Sequence, residues 1–142
     1  MEELIGSALL HLEQVLASHA IKTSAEADLP VVNMDGVLIE QVITNLLGNA
    51  AKYTPAGSTI QIEVLKESTN IKVRVSDNGR GIPAGDEKKI FDKFYTAGQS
   101  NAGKGTGLGL AICHAIVSAH GGEIWAENKP EGGACFNFTL PV

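Results

Sequence analysis

Residues 98–112 read GQSNAGKGTGLGLAI, and the fold turns on how this stretch is read. Gly98, four residues and then Gly103-Lys104 fall one letter short of the phosphate loop G-x-x-x-x-G-K-[ST]. Gly105 stands where the hydroxyl belongs, and Thr106 comes one place late to reach a magnesium ion. That loop also follows a buried strand, whereas IFDKFYTA (90–97) is helix-like and then turns polar. A dinucleotide fingerprint fails on spacing, because the glycines at 103, 105, 107 and 109 are two apart and the strand is again missing. What remains is a glycine cluster that opens a helix near Leu108. Backbone N–H groups at a helix start attract anions, and glycines let phosphates come close.

Working upstream, DNGRG (77–81) directly follows a predicted strand. A carboxylate at a strand end, with two glycines beside it, can hold a planar donor such as the amino group of adenine. Taken alone, D-N-G strongly favours a plain surface turn. Two segments of period-2 alternation precede it: Ile60, Ile62 and Val64, then Ile71, Val73 and Val75, joined by ESTN as a hairpin. Further upstream, Asp35 reads as the N-cap of a helix running to about Tyr53. At about 100° per residue, Asn45, Asn49 and Lys52 fall within one sector beside the apolar face of Leu38, Val42, Leu46 and Ala50. Two amides and an ammonium at the margin of a buried stripe are either a satisfied boundary row, with Lys52 snorkelling outward, or part of a site.

Outside these motifs, residues 2–18 carry a helical stripe, and short extended stretches are expected around 21–23 and 31–33. Residues 86–94 suggest a short helix, and EIWAEN and ACFNFTL flank the turn KPEGG as closing strands. The expected order is αββαββααββ, an α/β (α+β) two-layer arrangement with helices on one face of a mixed, mostly antiparallel sheet. A chain of 142 residues with 44% hydrophobic and 19% charged residues suits one globular domain. The net charge of −5 argues against a nucleic-acid surface. No apolar run approaches the roughly 18 residues of a spanning helix, and MEELIGSALLHLEQ is too acidic for a signal peptide. Cys113 and Cys135 lack C-x-x-C spacing and fall on predicted core positions, as buried reduced thiols would.

Taken together, the motifs resemble those of sensor histidine kinases. NLLGNAAKYT (45–54) is similar to their N box, DNGRG (77–81) to the G1 box, IFDKFY (90–95) to the F box and GTGLGL (105–110) to the G2 box. They stand in the family's order, and GGACFNFTLP resembles its closing strand. AIVSAHGGEIWAEN is further similar to the osmosensitive potassium-channel sensor kinases.

The resemblance implies a Bergerat-type ATP-binding fold occupying residues 1–142 as one catalytic and ATP-binding domain, with about three helices over the sheet. It implies that Asn49 ligates Mg²⁺ and that Asn45 and Lys52 sit near the triphosphate. Tyr53 would lie against the adenine and Asp77 would take its amino group. Gly79, Gly81, Ile82 and Phe94 would line that pocket. Residues 95–106 would form an ATP lid, and Gly105, Thr106, Gly107, Leu108 and Gly109 would meet the phosphates. A magnesium ion that keeps waters and phosphate oxygens needs few protein ligands, so one amide is reasonable. The implied activity is transfer of the γ-phosphate to a histidine on a separate dimerisation domain, with a response-regulator receiver as final acceptor. The parent protein would be anchored in the inner membrane, with this domain in the cytoplasm and touching neither membrane nor nucleic acid.

Several positions depart from the pattern or discriminate within it. ATP-hydrolysing relatives carry Glu four residues before the metal-binding Asn, where a carboxylate can act as general base. Asn45 stands there, and an amide cannot accept that proton. A histidine acceptor brings its own basic nitrogen, so Asn45 favours transfer over hydrolysis. Thr96 replaces the Arg often found after the F-box tyrosine, leaving Lys104 or Lys93 to supply the charge. Thr96 is also the best support for an alternative, a nucleotide-binding regulatory module that transfers nothing. Ala134 replaces a common Ser or Thr. No H-E-[IL] phosphoacceptor motif is present, and His11, His19, His114 and His120 are expected to be structural or solvent-facing.

Overall fold

The computed structural model describes residues 1–92 and 108–142. Its elements run α1 (Glu2–His11), β1 (Ala20–Ala25), α2 (Gly36–Lys52), β2 (Thr59–Glu67), β3 (Asn70–Asp77), α3 (Gly109–Ala119), β4 (Ile124–Asn128) and β5 (Ala134–Pro141), with a single 3₁₀ turn at Lys89–Phe91. The five strands form one sheet ordered β1-β2-β3-β5-β4. β1 joins β2 in parallel, and every other pairing is antiparallel.

Alternation dictates the layers. Ile60, Ile62 and Val64 of β2, Ile71 and Val73 of β3, and Phe138 and Leu140 of β5 are buried on the face beneath the helices. α2 meets them with Ile39, Val42, Ile43, Leu46, Leu47 and Ala50, and α3 with Cys113, Ile116 and Val117. Phe138 is fully buried among the largest core side chains, where truncation to Ala typically costs ~3–5 kcal/mol. β5 is buried on both faces, and both of its edges are paired, by β3 and β4. On its outer face Arg74 donates from Nη2 to Cys135 Sγ at 3.4 Å, and Asn137 donates to Glu127 at 3.2 Å.

Helix ends follow local chemistry. The Asp35 carboxylate accepts from Leu38 N–H at 3.1 Å and starts α2. Gly121 (φ +78°) follows the C-terminus of α3 and lets the chain reverse. There His120 ties two helices together: its Nδ1 donates to Ile116 O at 2.8 Å, and its Nε2 accepts from Asp35 N–H at 3.1 Å.

Three expectations need correction. The stripe over 2–18 is helical only to His11; beyond it, mixed i→i+3 and i→i+4 bonds such as Glu13 N–H to Leu10 O and Leu16 N–H to Leu12 O continue the winding as turns. The apolar period therefore persists, and Leu16 is still buried, without a regular helix. Residues 31–33 form no strand, and Val31 is 93% exposed, so nothing pairs or covers it. Within the described part of 86–94, only the 3₁₀ turn forms. Both cysteines are buried and free, as the core positions imply.

Candidate functional site

Three segments far apart in sequence meet at the Asp77 carboxylate, the last residue of β3 and 6% exposed. Its Oδ1 accepts from Gly79 N–H at 2.9 Å and from Ala134 N–H, at the start of β5, at 3.2 Å. Two backbone donors fix the carboxylate through one oxygen. Oδ2 accepts no hydrogen bond among the described residues, so it can receive a ligand donor.

The surrounding glycines are there for space. A Cβ on Gly79 would come within 2.6 Å of Thr54 Cγ2 and 3.3 Å of Tyr53 O, which places the end of α2 directly against this loop. Gly81 has φ +84°, and a Cβ there would meet Asn128 Oδ1 at 2.5 Å. Thr54 is itself held: its hydroxyl donates to Ala50 O at 2.7 Å, so His19 must donate from Nε2 to Thr54 Oγ1 at 2.8 Å. Asn78, between the two acidic-loop contacts, points away and accepts from Thr59 N–H at 2.9 Å.

The second group of expected residues lies along α2. Asn45 and Asn49 are half-buried and Lys52 is exposed, as a boundary row would be. Asn45 donates from Nδ2 to Gly109 O at 3.4 Å, joining α2 to the first turn of α3. Leu108 occupies the N-cap of α3 with no side-chain capping bond. α2 thus presents Asn45 to the start of α3 and Tyr53 to the Asp77 loop, roughly 12 Å apart along its axis. Cys113, beside Asn45, is pushed up to about 12 by burial, opposed by its contact with Asn45, and its thiol donates weakly to Val42 O at 3.8 Å.

Ile82 is 8% exposed beside this loop. Lys93, Phe94, Tyr95, Thr96, Lys104, Gly105, Thr106 and Gly107 lie outside the described residues. Among the described residues no three His, Cys, Asp or Glu side chains could together hold a metal ion. A magnesium ion arriving on phosphate oxygens would need only one protein amide, which the half-buried Asn49 could supply.

The contacts not foreseen from the sequence are those of Asn128, His19 and the Ala134 amide. Asn128 contacts Ile82 across 46 residues and His19 contacts Thr54 across 35, and no local pattern reports such pairings. The other histidines are structural or surface groups. His11 pairs with Glu40 at 3.1 Å, and the His114 ring lies 6.2 Å from Phe91.

The fold and this site define an ATPase-like α/β sandwich. The chain belongs to the histidine kinase-, DNA gyrase B- and HSP90-like ATPase family, whose model matches residues 34–142. It is 50% identical over 141 residues to sensor protein KdpD of Escherichia coli (strain K12), covering 99% of this chain and 16% of that protein. This chain therefore spans about a sixth of that relative. The catalytic domain of histidine kinase ThkA superposes with a TM-score of 0.87 at 33% identity, over 99% of this chain and 91% of the other. Histidine kinase ThkA in complex with the response regulator TrrA matches with a TM-score of 0.79 at 33% identity, over 99% and 40%. Among the described residues, no helix is long and apolar enough to cross a membrane.

Proposed function

We propose that residues 1–142 are the catalytic and ATP-binding domain of a sensor histidine kinase, which binds Mg·ATP and donates the γ-phosphate to a histidine on a separate dimerisation domain. The observation that carries this reading is Asp77: two backbone donors hold one carboxylate oxygen, and the other accepts nothing among the described residues, which supports a base amino group there. Tyr53 would lie along the ring, with Gly79, Gly81, Ile82 and Phe94 around it. Asn49 would ligate the metal, which supplies charge neutralisation between phosphates. Asn45, Lys52 and the segment Gly105–Gly109 with Thr106 would orient the triphosphate, and Lys104 or Lys93 would face the transferring group. Phosphoryl transfer asks mostly for such positioning and charge, so a domain of this kind binds nucleotide without turning it over alone. Asn45 cannot act as a general base toward water, which supports a nucleophile carrying its own basic nitrogen.

A response-regulator receiver would take the phosphoryl group from that histidine, and the structural neighbour ThkA is itself found in complex with the response regulator TrrA. The parent would be a membrane-anchored sensor with this domain on the cytoplasmic side. The test titrates ATP by calorimetry into the wild type, Asp77→Asn and Asn49→Asp, then mixes labelled ATP with a histidine-bearing helical hairpin from the parent. Weakened binding in both variants and label on the hairpin are expected. Unchanged affinity in both would mean the pocket is misplaced. Binding without transfer would favour the regulatory module for which Thr96 argues, and free phosphate from the domain alone would overturn the reading of Asn45.

A further inference from the structure

The last residue of β4, Asn128, reaches across to the loop after Asp77 and engages both backbone groups of one residue. Its Oδ1 accepts from Ile82 N–H at 2.7 Å, and its Nδ2 donates to Ile82 O at 3.0 Å. The carboxamide therefore imitates one peptide of a neighbouring strand, in a segment that belongs to no strand. The same oxygen stands 2.5 Å from where a Cβ on Gly81 would be, so a side chain at 81 and Asn128 exclude each other.

The partner strand, at the same end of the hairpin, holds the carboxylate. Asn128 pairs in register with Ala134, whose N–H binds Asp77 Oδ1. A Cβ on Gly133 (φ +94°) would sit 2.0 Å from Asp77 O, so the hairpin lies flat against the end of β3. The Asp77 carboxylate and the Gly81–Ile82 peptide are thus both tied to the same rung of the β4–β5 ladder, one through the Ala134 N–H and the other through the Asn128 carboxamide.

We infer that Asn128 is a positioning residue for base recognition: it fixes the Gly81–Ile82 peptide relative to Asp77 through one shared rung, so that the base edge meets both at once. The inference rests on the reading that Asp77 receives the amino group of adenine. Asn128 does this through Ile82 and need not touch the nucleotide. It is exposed, so shortening it removes no core packing.

The test uses the whole chain and measures affinities for Mg·ATP, Mg·GTP and Mg·tripolyphosphate, beside thermal unfolding without ligand. Asn128→Ala is expected to lose about fivefold in ATP affinity, the worth of two partly exposed hydrogen bonds, and to narrow the ATP-over-GTP preference. Tripolyphosphate affinity should stay unchanged. Asn128→Ser, which keeps one short hydroxyl, should fall between wild type and Ala. Unchanged ATP affinity in Asn128→Ala overturns the inference, provided Asp77→Asn loses binding. A parallel fall for ATP and tripolyphosphate together with the unfolding temperature also overturns it, because the role would then be structural. If Asp77→Asn itself binds ATP normally, the reading of the base site fails instead.

Discussion

The His19 imidazole, just ahead of β1, donates to the Thr54 hydroxyl just beyond α2 at 2.8 Å, and that hydroxyl donates in turn to Ala50 O. Thr54 is 8% exposed and its methyl lies against Gly79. His19→Ala leaves a buried hydroxyl short of a donor, which should cost ~1 kcal/mol and lower the unfolding temperature by a few degrees. His19→Gln, which retains an N–H donor, should recover part of that loss in the same thermal scan. Equal losses for both would mean that the hydrogen bond contributes nothing.

Two glycines should respond in opposite directions to the same change. A Cβ on Gly122 would sit 1.8 Å from Thr139 O, backbone that cannot yield without separating the α3 end from β5. Gly122→Ala should therefore destabilise by ~3 kcal/mol or more, in the range of severe core overpacking. A Cβ on Gly6, inside α1, meets nothing within 4 Å. Gly6→Ala should stabilise by ~0.5–1 kcal/mol through helix propensity. Urea unfolding of both variants checks the pair.

Burial raises the Cys113 thiol from 9.0 to about 12. A raised acid keeps its proton in the folded state where the unfolded chain has already lost it. Its contribution to stability is therefore fully present below pH 9 and is lost as pH rises from 9 towards 12. Unfolding free energy should decline across that window, and Cys113→Ala should show a shallower decline. The thiol should also resist alkylation near neutral pH until the chain is unfolded. Labelling under native conditions would contradict the burial.

Asp35 anchors the start of α2 through its carboxylate and the end of α3 through its N–H. Asp35→Ala should cost ~1 kcal/mol by loss of the cap. His120→Ala should leave the Asp35 amide without its acceptor, and faster hydrogen exchange at that single amide is the expected signature. Unchanged exchange there would show that the helices are held together by packing alone.

What the sequence made legible was local. Asp35, the period of α2, the β2–β3 alternation and the Gly121 stop all act within a few residues, and all recur where expected. The boundary placement of Asn45, Asn49 and Lys52 followed from helical geometry alone. Partnership across distance was not legible. The parallel joining of β1 to β2, the reach of Asn128 to Ile82 and the supply of the Ala134 N–H to Asp77 depend on topology, which no window of residues contains. The wound turns after His11 also kept the helical period while losing the helix, so periodicity overstated regularity there.

The strand order gives the molecule a direction in time. β5 follows β4 in sequence yet lies between β3 and β4. During synthesis the first three strands can form a sheet that ends at β3, but its open edge and the Asp77 carboxylate must wait for residues 134–141. A chain interrupted before them lacks the strand that joins β3 to β4. The hydrogen bond from Ala134 N–H that helps to fix the Asp77 carboxylate therefore forms only when the sheet is complete.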